Sequence, residues 1–484
     1  MKKEKLKLNL IYNISYEILV IFLPLILSPY VSRVLGADAL GIYSYTYTIA
    51  NYFVLFSMLG IKNYGSRLIA QIRNDQDKLN YSFSSLIVCH GILSLICTVA
   101  YFIYAVSFAD RYVGYSVIQG IYVIGAIFDI SWFYFGIEKI KTTVLRNVFV
   151  KLLNLVLIFV LVRDPGDLNV YCLIMSGCIL VSQLLLWLPL KKYVRFTRPQ
   201  FKDVIYHIKP MLVLFIPAVA ISLYKYMDKI MLGIMSDTAQ VGFYQNAEQL
   251  VNIPNVIINA IGVVMLAKTS NLVAEGKQEQ SKNYFSRSMR YFLCLAFALS
   301  FGLAAVAENF APFFWGEEFT QCSQLIIGLA ITVPFVTFAN IIRTQYLIPN
   351  SKDKEYLGSV VVGAVVNIVI NSLLIAPLGA LGAVIGTIFA EISVCIVQAF
   401  VSRKEIHFYP YIKQIMPFGI IGALMFLCVF YIGKILPFSR VIILIIQIAI
   451  GGIIYTTAAG IYLYKIRDEL FWSIVMRIRR RAKK

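Results

Sequence analysis

Three charged residues lie within one strongly apolar stretch, ISLYKYMDKIMLG at positions 221–233. Lys225, Asp228 and Lys229 are spaced i, i+3 and i+4, which places them on one face of a helix. A charge inside a membrane helix costs about 2.5–3.5 kcal/mol on insertion scales and usually faces a bundle interior or a hydrated cavity. Cationic groups there suit an anionic ligand, because they compensate its charge. We predict that Lys225 contacts such a ligand, whereas Lys229 either contributes or extends to the outer helix end.

The apolar segment that follows carries a polar stripe at helical spacing. Its members are Gln245, Glu248, Gln249, Asn252, Asn255 and Asn259. Lys225 lies eight residues before Gly233, and Glu248 lies eight residues after Gln240. At 1.5 Å per residue, both are about 12 Å from the connecting loop. We therefore expect the two helices to bring charges to one depth and to form the polar wall of a cavity.

Further charged residues lie inside apolar segments or near their ends. The former are Glu17, Asp129, Lys151 and Glu391, and the latter are Arg33, Arg67 and Arg343. Asp129, Trp132 and Gly136 have the spacing of residues on one helical face. Each charge could belong to a structural ion pair, but so many together indicate a hydrated cavity whose cationic members are Lys225, Arg343, Arg33, Arg67 and Lys229.

Motifs for catalysis or cofactor binding are absent from the sequence. There is no GxxxxGK[ST] phosphate loop, no His/Cys metal spacing and no nucleophile elbow. The eight Cys residues lack CxxC spacing and are interpreted as small core residues. We predict no enzymatic activity, no metal and no cofactor. Energy for transport would come from an ion gradient or from downhill flow.

The composition indicates the elements that must position these residues. Of the 484 residues, 59% are hydrophobic and 14% are charged, against roughly 25% charged in soluble proteins. About 20 consecutive apolar residues span a bilayer as a helix, so we predict an all-α polytopic membrane protein with about fourteen spans. The spans run approximately over 11–32, 40–60, 82–108, 113–136, 143–162, 169–190, 210–232, 241–267, 291–307, 322–342, 357–377, 378–400, 414–433 and 441–464.

The distribution of positive charge supports this count. With both termini cytoplasmic, the cytoplasmic segments hold 36 of the 44 Lys and Arg residues and the outer loops hold five. Lys and Arg are retained on the cytoplasmic side of membrane proteins. The net charge of +19 therefore reflects topology and contact with anionic lipids, and we predict no nucleic-acid partner.

The sequence also contains an internal duplication. The stretch from FLP (22–24) to LGADALGIY (35–43) is matched by FIP (215–217) and LGIMSDTAQVGFY (232–244). Gly41 and Gly242 occupy equivalent places, and six predicted spans separate the copies, so the copies share one orientation. We predict an N-terminal lobe at 1–200 with six helices and a C-terminal lobe at 201–402 with six more. Residues 403–484 would add a helix pair and a basic cytoplasmic tail. Such parallel repeats are a recurrent transporter design.

Several stretches resemble the bacterial polysaccharide transporter family, the Wzx-type flippases of lipid-linked oligosaccharides. They are PYVSRVLGADALGIYSYTYTIANYF (29–53), LGIKNYGSRLIA (59–70), FDISWFYFGIEKIK (128–141), LYKYMDKIMLG (223–233), VGFYQNAEQL (241–250), QYLIPNSKDKEY (345–356) and GAVVNIVINSLLIAPLGALGAVIGTIFAE (363–391). The resemblance covers nearly the whole chain, and together the stretches are specific. The family belongs to a superfamily with multidrug exporters and peptidoglycan-precursor flippases.

The resemblance implies two six-helix lobes around a central cavity and transport by alternating access. The substrate would be an undecaprenyl-diphosphate-linked repeat unit, moved from the inner to the outer leaflet of the bacterial plasma membrane for capsule, exopolysaccharide or other surface-glycan export. Its diphosphate would meet the cationic cavity residues. Coupling H⁺ or Na⁺ would be carried by the acidic residues Asp228, Glu248, Asp129 and Glu391, and the cavity would be completed by Gln245, Gln249, Asn252 and Asn255.

Two alternative functions share this fold. Spans 13 and 14 depart from many relatives but also occur in peptidoglycan-precursor (lipid II) flippases, so that substrate stays open. A cation-coupled multidrug exporter is the other alternative. The polysaccharide polymerase machinery is a possible protein partner, and membrane lipids surround the chain.

Overall fold

The helices of this chain follow its hydrophobic segments closely. The structure is a computed structural model that describes the backbone of residues 2–473 and 476, and the side chains of that range from residue 23 onward except positions 110 and 140. Among these residues, every regular element is a helix, comprising seventeen α-helices, four 3₁₀ turns and one π-helical turn. The basic tail from 477 onward and the Glu17 side chain lie outside the described part.

The chain divides into two compact units, residues 1–242 and 243–484. The helices of the first unit are α1 (Lys2–Met58), α2 (Ile61–Ile72), α3 (Gln76–Ser107), α4 (Val113–Ile127), α5 (Ser131–Gly136), α6 (Ile140–Leu161), α7 (Leu168–Leu185), α8 (Phe201–Tyr206) and α9 (Ile208–Met235). Helix α10 (Thr238–Ala274) begins in this unit and continues into the second.

The second unit contains the remaining helices. These are α11 (Gln278–Trp315), α12 (Cys322–Ala330), α13 (Thr332–Ile342), α14 (Asp353–Leu378), α15 (Ala380–Ser402), α16 (Phe408–Ile435) and α17 (Arg440–Lys465). The π-helical turn, Arg343–Leu347, follows α13. Helices α14 and α15 form the tight hairpin that the PLG sequence at 377–379 predicts, with Gly379 alone between them.

The prediction of a multi-pass membrane protein is confirmed. Among the described residues, thirteen helical stretches are long and apolar enough to cross a membrane. The first, Leu23–Ile72, has 50 residues, or about 75 Å of helix at 1.5 Å per residue, against a hydrocarbon thickness of about 30 Å. It contains the second predicted span and residues 23–32 of the first, and the two are separated at Gly36, where φ is 80° and the helical geometry is interrupted. All fourteen predicted spans are thus helical.

One additional helix lies between the second and third predicted spans. Residues 61–72 form α2, because Ile61, Gly65 and Ile69 make a buried stripe at i, i+4 and i+8. The prediction of one helical face through Asp129 is wrong. Helix α4 ends at Ile127 and α5 begins at Ser131, so Asp129 lies in the break between two helices.

The two glycines of the sequence duplication lie against each other within the first unit. A Cβ atom at Gly41 would overlap the carbonyl of Thr238, and a Cβ at Gly242 would overlap the carbonyl of Ala37. Each glycine therefore meets the residue four positions before the other glycine. The Thr238 hydroxyl also donates to the carboxylate of Asp38. The start of α10 is thus held against α1 by backbone contacts that any larger residue would block.

The two compact units do not have the same boundary as the two predicted lobes, because the units are defined by packing and the lobes by the duplicated sequence. The packing division falls after Gly242, whereas the predicted lobe boundary at 200/201 follows the duplicated sequence. Helix α9, the predicted first helix of the second lobe, is grouped with the first unit, where α1 and α2 contact it. The lobe assignment remains a prediction.

Candidate functional site

Helix α9 carries the three charges of the stretch 221–233 without interruption. Lys225 is exposed, whereas Asp228 and Lys229 are 4% and 7% exposed. The Lys229 ammonium lies 5.9 Å from the centre of the Tyr226 ring, within cation–π range. Burial of Lys229 does not fit the alternative in which its side chain extends to the outer helix end. Ligand contact by Lys225 and Lys229 remains a prediction.

Asp129 joins three structural elements at the break between α4 and α5. One carboxylate oxygen accepts a hydrogen bond from the backbone N–H of Ser131, the first residue of α5, at 2.9 Å. The other lies 3.6 Å from the ammonium of Lys62 on α2. Asp129 is 5% exposed, while the Lys62 side chain is 61% exposed. The ion pair therefore connects a buried carboxylate to an accessible cation.

A buried histidine that we did not predict lies beside this break. His90 on α3 is fully buried, and its Nε2 lies 2.8 Å from the Ala126 carbonyl at the end of α4. Because a carbonyl only accepts, Nε2–H is the donor. Ser57 donates to Ser94 at 2.6 Å, and Ser94 lies 3.3 Å from His90 Nδ1. A chain of hydrogen bonds thus runs from α1 through α3 to α4.

In the second unit, Arg343 opens the π-helical turn and is half-buried. Its guanidinium donates to the side-chain oxygen of Asn340 at 3.1 Å and lies 3.5 Å from those of Asn259 and Tyr356. The ring of Tyr356 is 5.6 Å away. All these partners are neutral, so they orient the guanidinium without cancelling its charge. π-Helical turns occur frequently at functional sites.

The polar stripe of α10 is described within the second unit. Asn252 and Asn259 are exposed, and Gln245, Glu248, Gln249 and Asn255 are half-buried. Asn259, at the end of the stripe, accepts a hydrogen bond of 2.5 Å from Asn340 on α13. The stripe therefore reaches Arg343 and its partners Asn340, Asn259 and Tyr356, which we call the Arg343 cluster. The side-chain oxygen of Asn255 is buried and has no hydrogen-bond partner among the described residues.

The other predicted residues lie on three helices. Arg33 on α1 and Arg67 on α2 are exposed, and Glu391 on α15 is half-buried close to Cys395. The candidates thus divide between the units. Arg33, Arg67, Lys225, Lys229, Asp129 and Asp228 belong to the first, and Arg343, Glu248, Glu391 and the amide stripe belong to the second.

A second ion pair fixes the segment after the π-helical turn. Lys352 donates to Glu405 and to the Tyr346 hydroxyl, each at 2.6 Å. The hydrogen bond from Lys352 holds the pKa of the Glu405 carboxyl below its usual value. Burial alone would lower the pKa of Lys352, but its bonds to Glu405 and Tyr346 raise it overall. The pair connects the loop before α14 to the loop after α15.

Comparison with known proteins gives the family. The model of the family described as "Polysaccharide biosynthesis protein" matches residues 6–267, more than half of the chain. The chain belongs to this family of polysaccharide biosynthesis proteins. A second model, described as "Lipid II flippase MurJ", matches residues 148–450. The chain is a multi-pass membrane protein of the superfamily that includes both.

Individual relatives agree with this assignment. A putative O-antigen transporter of Shigella dysenteriae is 24% identical over 400 residues, covering 81% of this chain and 97% of the relative. A probable low-salt glycan biosynthesis flippase, Agl15, of Haloferax volcanii is 22% identical over 252 residues, covering 52% and 53%.

Two solved structures share the fold. The lipid II flippase MurJ in an inward closed conformation has a TM-score of 0.74 at 13% identity, covering 95% of this chain and 99% of that one. An inward-facing multidrug resistance MATE family transporter of the MOP superfamily has a TM-score of 0.62 at 17% identity, covering 81% and 97%.

Proposed function

We propose that this protein is a flippase that moves undecaprenyl-diphosphate-linked oligosaccharide repeat units from the inner to the outer leaflet of the bacterial plasma membrane. The observation that carries the proposal is the Arg343 cluster. A half-buried guanidinium on an apolar helix is held by neutral acceptors alone, so its charge is available to an anionic group. A planar guanidinium forms bidentate hydrogen bonds with phosphate, which suits a diphosphate.

The family and its relatives supply the substrate class. Two relatives are named putative O-antigen transporters and a third is named a probable low-salt glycan biosynthesis flippase. This chain would act on the repeat unit of a capsule, exopolysaccharide or related glycan. It would act by alternating access as a transporter, without catalysing a covalent reaction. Both termini would be cytoplasmic, because that orientation retains most of the Lys and Arg residues inside.

Ion coupling would use the acidic residues within the spans. Asp129 in the first unit has a cationic partner in Lys62 and a buried histidine close by. Asp228 and Glu248 lie in helices that carry other polar residues, and Glu391 is the remaining candidate. Each would bind H⁺ or Na⁺ in one state of the cycle and release it in another. A polymerase that uses the exported repeat unit is the expected protein partner.

A lipid II flippase is the second candidate function. The match of the lipid II flippase model to residues 148–450 and the fold similarity over 95% of the chain favour it over a multidrug exporter. Both candidates require a diphosphate site, so the Arg343 cluster would serve either substrate. The sugar attached to the carrier distinguishes them.

The test measures the exposure of lipid-linked sugars in the outer leaflet. In spheroplasts that lack the protein, an impermeant sugar-modifying reagent is expected to label less carrier-linked repeat unit than in the parent strain, while the total pool stays the same or rises. Unchanged labelling in a strain without a second flippase would contradict the proposal. A fall in labelled lipid II, with other lipid-linked sugars unchanged, would instead support the second candidate.

A substitution of Arg343 links this test to the cluster on which the proposal rests. Arg343→Gln should lower outer-leaflet labelling at least tenfold at equal protein level, because the neutral amide cannot compensate a diphosphate. Lys354→Gln is the matched control, since Lys354 is an exposed cation eleven residues after Arg343 in the sequence. Equal labelling in both variants would remove Arg343 from the site.

A further inference from the structure

Four tyrosine rings form a continuous series inside the first unit. The rings of Tyr43 and Tyr47 on α1 are stacked at 5.6 Å with an angle of 18° between them, and those of Tyr47 and Tyr122 on α4 at 5.1 Å and 19°. Tyr171 on α7 meets Tyr43 edge-on at 4.8 Å. We call Tyr171, Tyr43, Tyr47 and Tyr122 the tyrosine ladder.

The depth of the tyrosine ladder separates it from an interfacial belt. Tyr47 lies eleven residues from the break at Gly36 and eleven from the helix end at Met58, which is about 16 Å from each at 1.5 Å per residue. Interfacial tyrosines lie at the ends of spans, at headgroup level. Exposed tyrosines that fit this belt do occur here, such as Tyr409 and Tyr431 on α16. Tyr47 and Tyr122 instead lie well inside their spans, and Tyr171 extends the ladder toward the start of α7.

The hydroxyl groups of the ladder lie among polar partners. Tyr122 donates to the Asn51 side chain at 2.9 Å. Asn51 follows Tyr43 and Tyr47 at intervals of four residues, so all three lie on one face of α1. Tyr43, Tyr47 and Tyr122 are half-buried, unlike Phe83, Trp132 and Phe133, which are fully buried in the apolar core of the same unit. These three rings of the ladder therefore keep exposed surface, whereas Tyr171 is buried.

One end of the ladder lies near the charges of α9. Tyr226 on α9 lies near Tyr47 and Tyr122, and its ring meets the Tyr52 ring edge-on at 6.4 Å. The Lys229 ammonium is 5.9 Å from that ring. A row of amphipathic rings thus leads to a buried cation. An uncharged polyhydroxyl chain attached to an anionic group is arranged in the same order, with uncharged polar groups first and a charged group at the end.

We propose that the tyrosine ladder is a carbohydrate-binding surface that contacts the sugar rings of the lipid-linked substrate, with Lys229 close to their anionic end. This inference rests on the proposed function. Aromatic faces bind the C–H faces of pyranose rings, and phenol hydroxyls exchange hydrogen bonds with sugar hydroxyls. Both interactions tolerate different sugars, so the surface adds affinity for each sugar ring without requiring one particular sugar.

Binding to two lipids tests the proposal. The full-length protein in nanodiscs is titrated with undecaprenyl diphosphate and with the same carrier bearing one N-acetylglucosamine. The wild type should bind the sugar-bearing lipid about tenfold more tightly, as expected for one aromatic contact with its hydrogen bond. Tyr47→Leu and Tyr122→Leu should abolish this ratio and leave the affinity for the bare carrier unchanged.

Control variants distinguish ring contact from folding. Tyr47→Phe preserves the ring and the packing, so it should retain most of the tenfold ratio even if the leucine variants unfold. Tyr409→Leu and Tyr431→Leu remove exposed rings outside the ladder and should leave the ratio intact.

The outcomes separate this inference from the proposed function. Equal affinity of the wild type for the two lipids would overturn the inference, as would ladder variants that weaken both lipids equally. If neither lipid binds the wild type, the proposed function fails, and the carbohydrate surface fails with it. The carbohydrate surface is supported if Tyr47→Leu and Tyr122→Leu lose the tighter binding of the sugar-bearing lipid while Tyr409→Leu and Tyr431→Leu retain it.

Discussion

At the scale of single residues, charges in this chain are held by two kinds of partner. Arg343 is oriented by carboxamides and a phenol, which leave its charge available. Asp129 has a cation and a backbone N–H group as partners, which stabilise its ionised form. The first arrangement is suited to binding a ligand of opposite charge. The second is suited to holding a structure, or to a proton that is bound only after the partners separate.

Asp129→Asn tests which of these roles Asp129 has. The asparagine oxygen can still accept from Ser131, and the lost ion pair involves an exposed lysine, so thermal stability should change little, by about 1 kcal/mol or less. If Asp129 carries a coupling proton, transport in proteoliposomes should lose its response to an imposed pH gradient. Asp129→Ala also removes the hydrogen bond from the Ser131 N–H to the carboxylate and should cost about 1.5–3 kcal/mol.

The control for this experiment is Lys62→Gln. It removes the same ion pair while leaving the carboxyl group in place, so the response to the pH gradient should persist. A pH-gradient response in Asp129→Asn equal to that of the wild type would assign Asp129 a purely structural role.

At the scale of elements, the connection between α13 and α14 is the most constrained part of the second unit. It begins with the π-helical turn, in which the Ile348 N–H bonds to the Arg343 carbonyl at 3.0 Å. It ends at Lys352, which is bound to Tyr346 and Glu405. The π-helical turn orients Arg343, and the Lys352–Glu405 ion pair fixes the far end of the connection against the loop after α15.

This ion pair predicts a pH dependence of stability. The pKa of Glu405 is lowered in the folded protein by the hydrogen bond from Lys352, so its stabilisation is fully present above the ordinary carboxyl pKa. It is lost as the pH falls through the lower, folded-state pKa. Glu405→Gln should therefore lower the unfolding temperature at neutral pH and have no effect in strong acid. An unfolding-temperature difference that persists in acid would contradict this origin.

Sequence reasoning identified the membrane spans but not the contacts between them, and the roles of the site residues remain predictions. Hydropathy and turn residues identify the spans because burial in lipid demands long apolar helices. Helix α2 was missed because Lys62 and Arg67 interrupt its narrow apolar stripe. The contact of His90 with Ala126, 36 residues away, depends on how α3 and α4 pack. The stacked rings of Tyr47 and Tyr122 likewise come from two helices, although the spacing of Tyr43, Tyr47 and Asn51 was visible.

At the scale of the whole molecule, the duplicated sequence has a physical counterpart. Gly41 and Gly242 occupy equivalent positions in the two copies, and each lies against the carbonyl four residues before the other. A methyl group at either position would force α1 and the start of α10 apart. We expect Gly41→Ala and Gly242→Ala each to lower stability by about 1–3 kcal/mol, as overpacking does, which thermal unfolding in detergent would measure. Gly452→Ala on α17 is the control, since a Cβ there meets no atom within 4 Å.

Because each glycine lies against the backbone beside the other, we expect the stability effects of substituting them to be coupled. Once a first methyl group has separated the backbones, the space it opens also accommodates the second. In a double-mutant cycle, the loss in Gly41→Ala/Gly242→Ala should therefore fall short of the sum of the single losses by about 0.5–3 kcal/mol. Strictly additive losses would mean that each glycine is required for a separate reason. If the losses are instead coupled as expected, neither position can change freely while the other remains glycine, although 201 residues separate them in the chain.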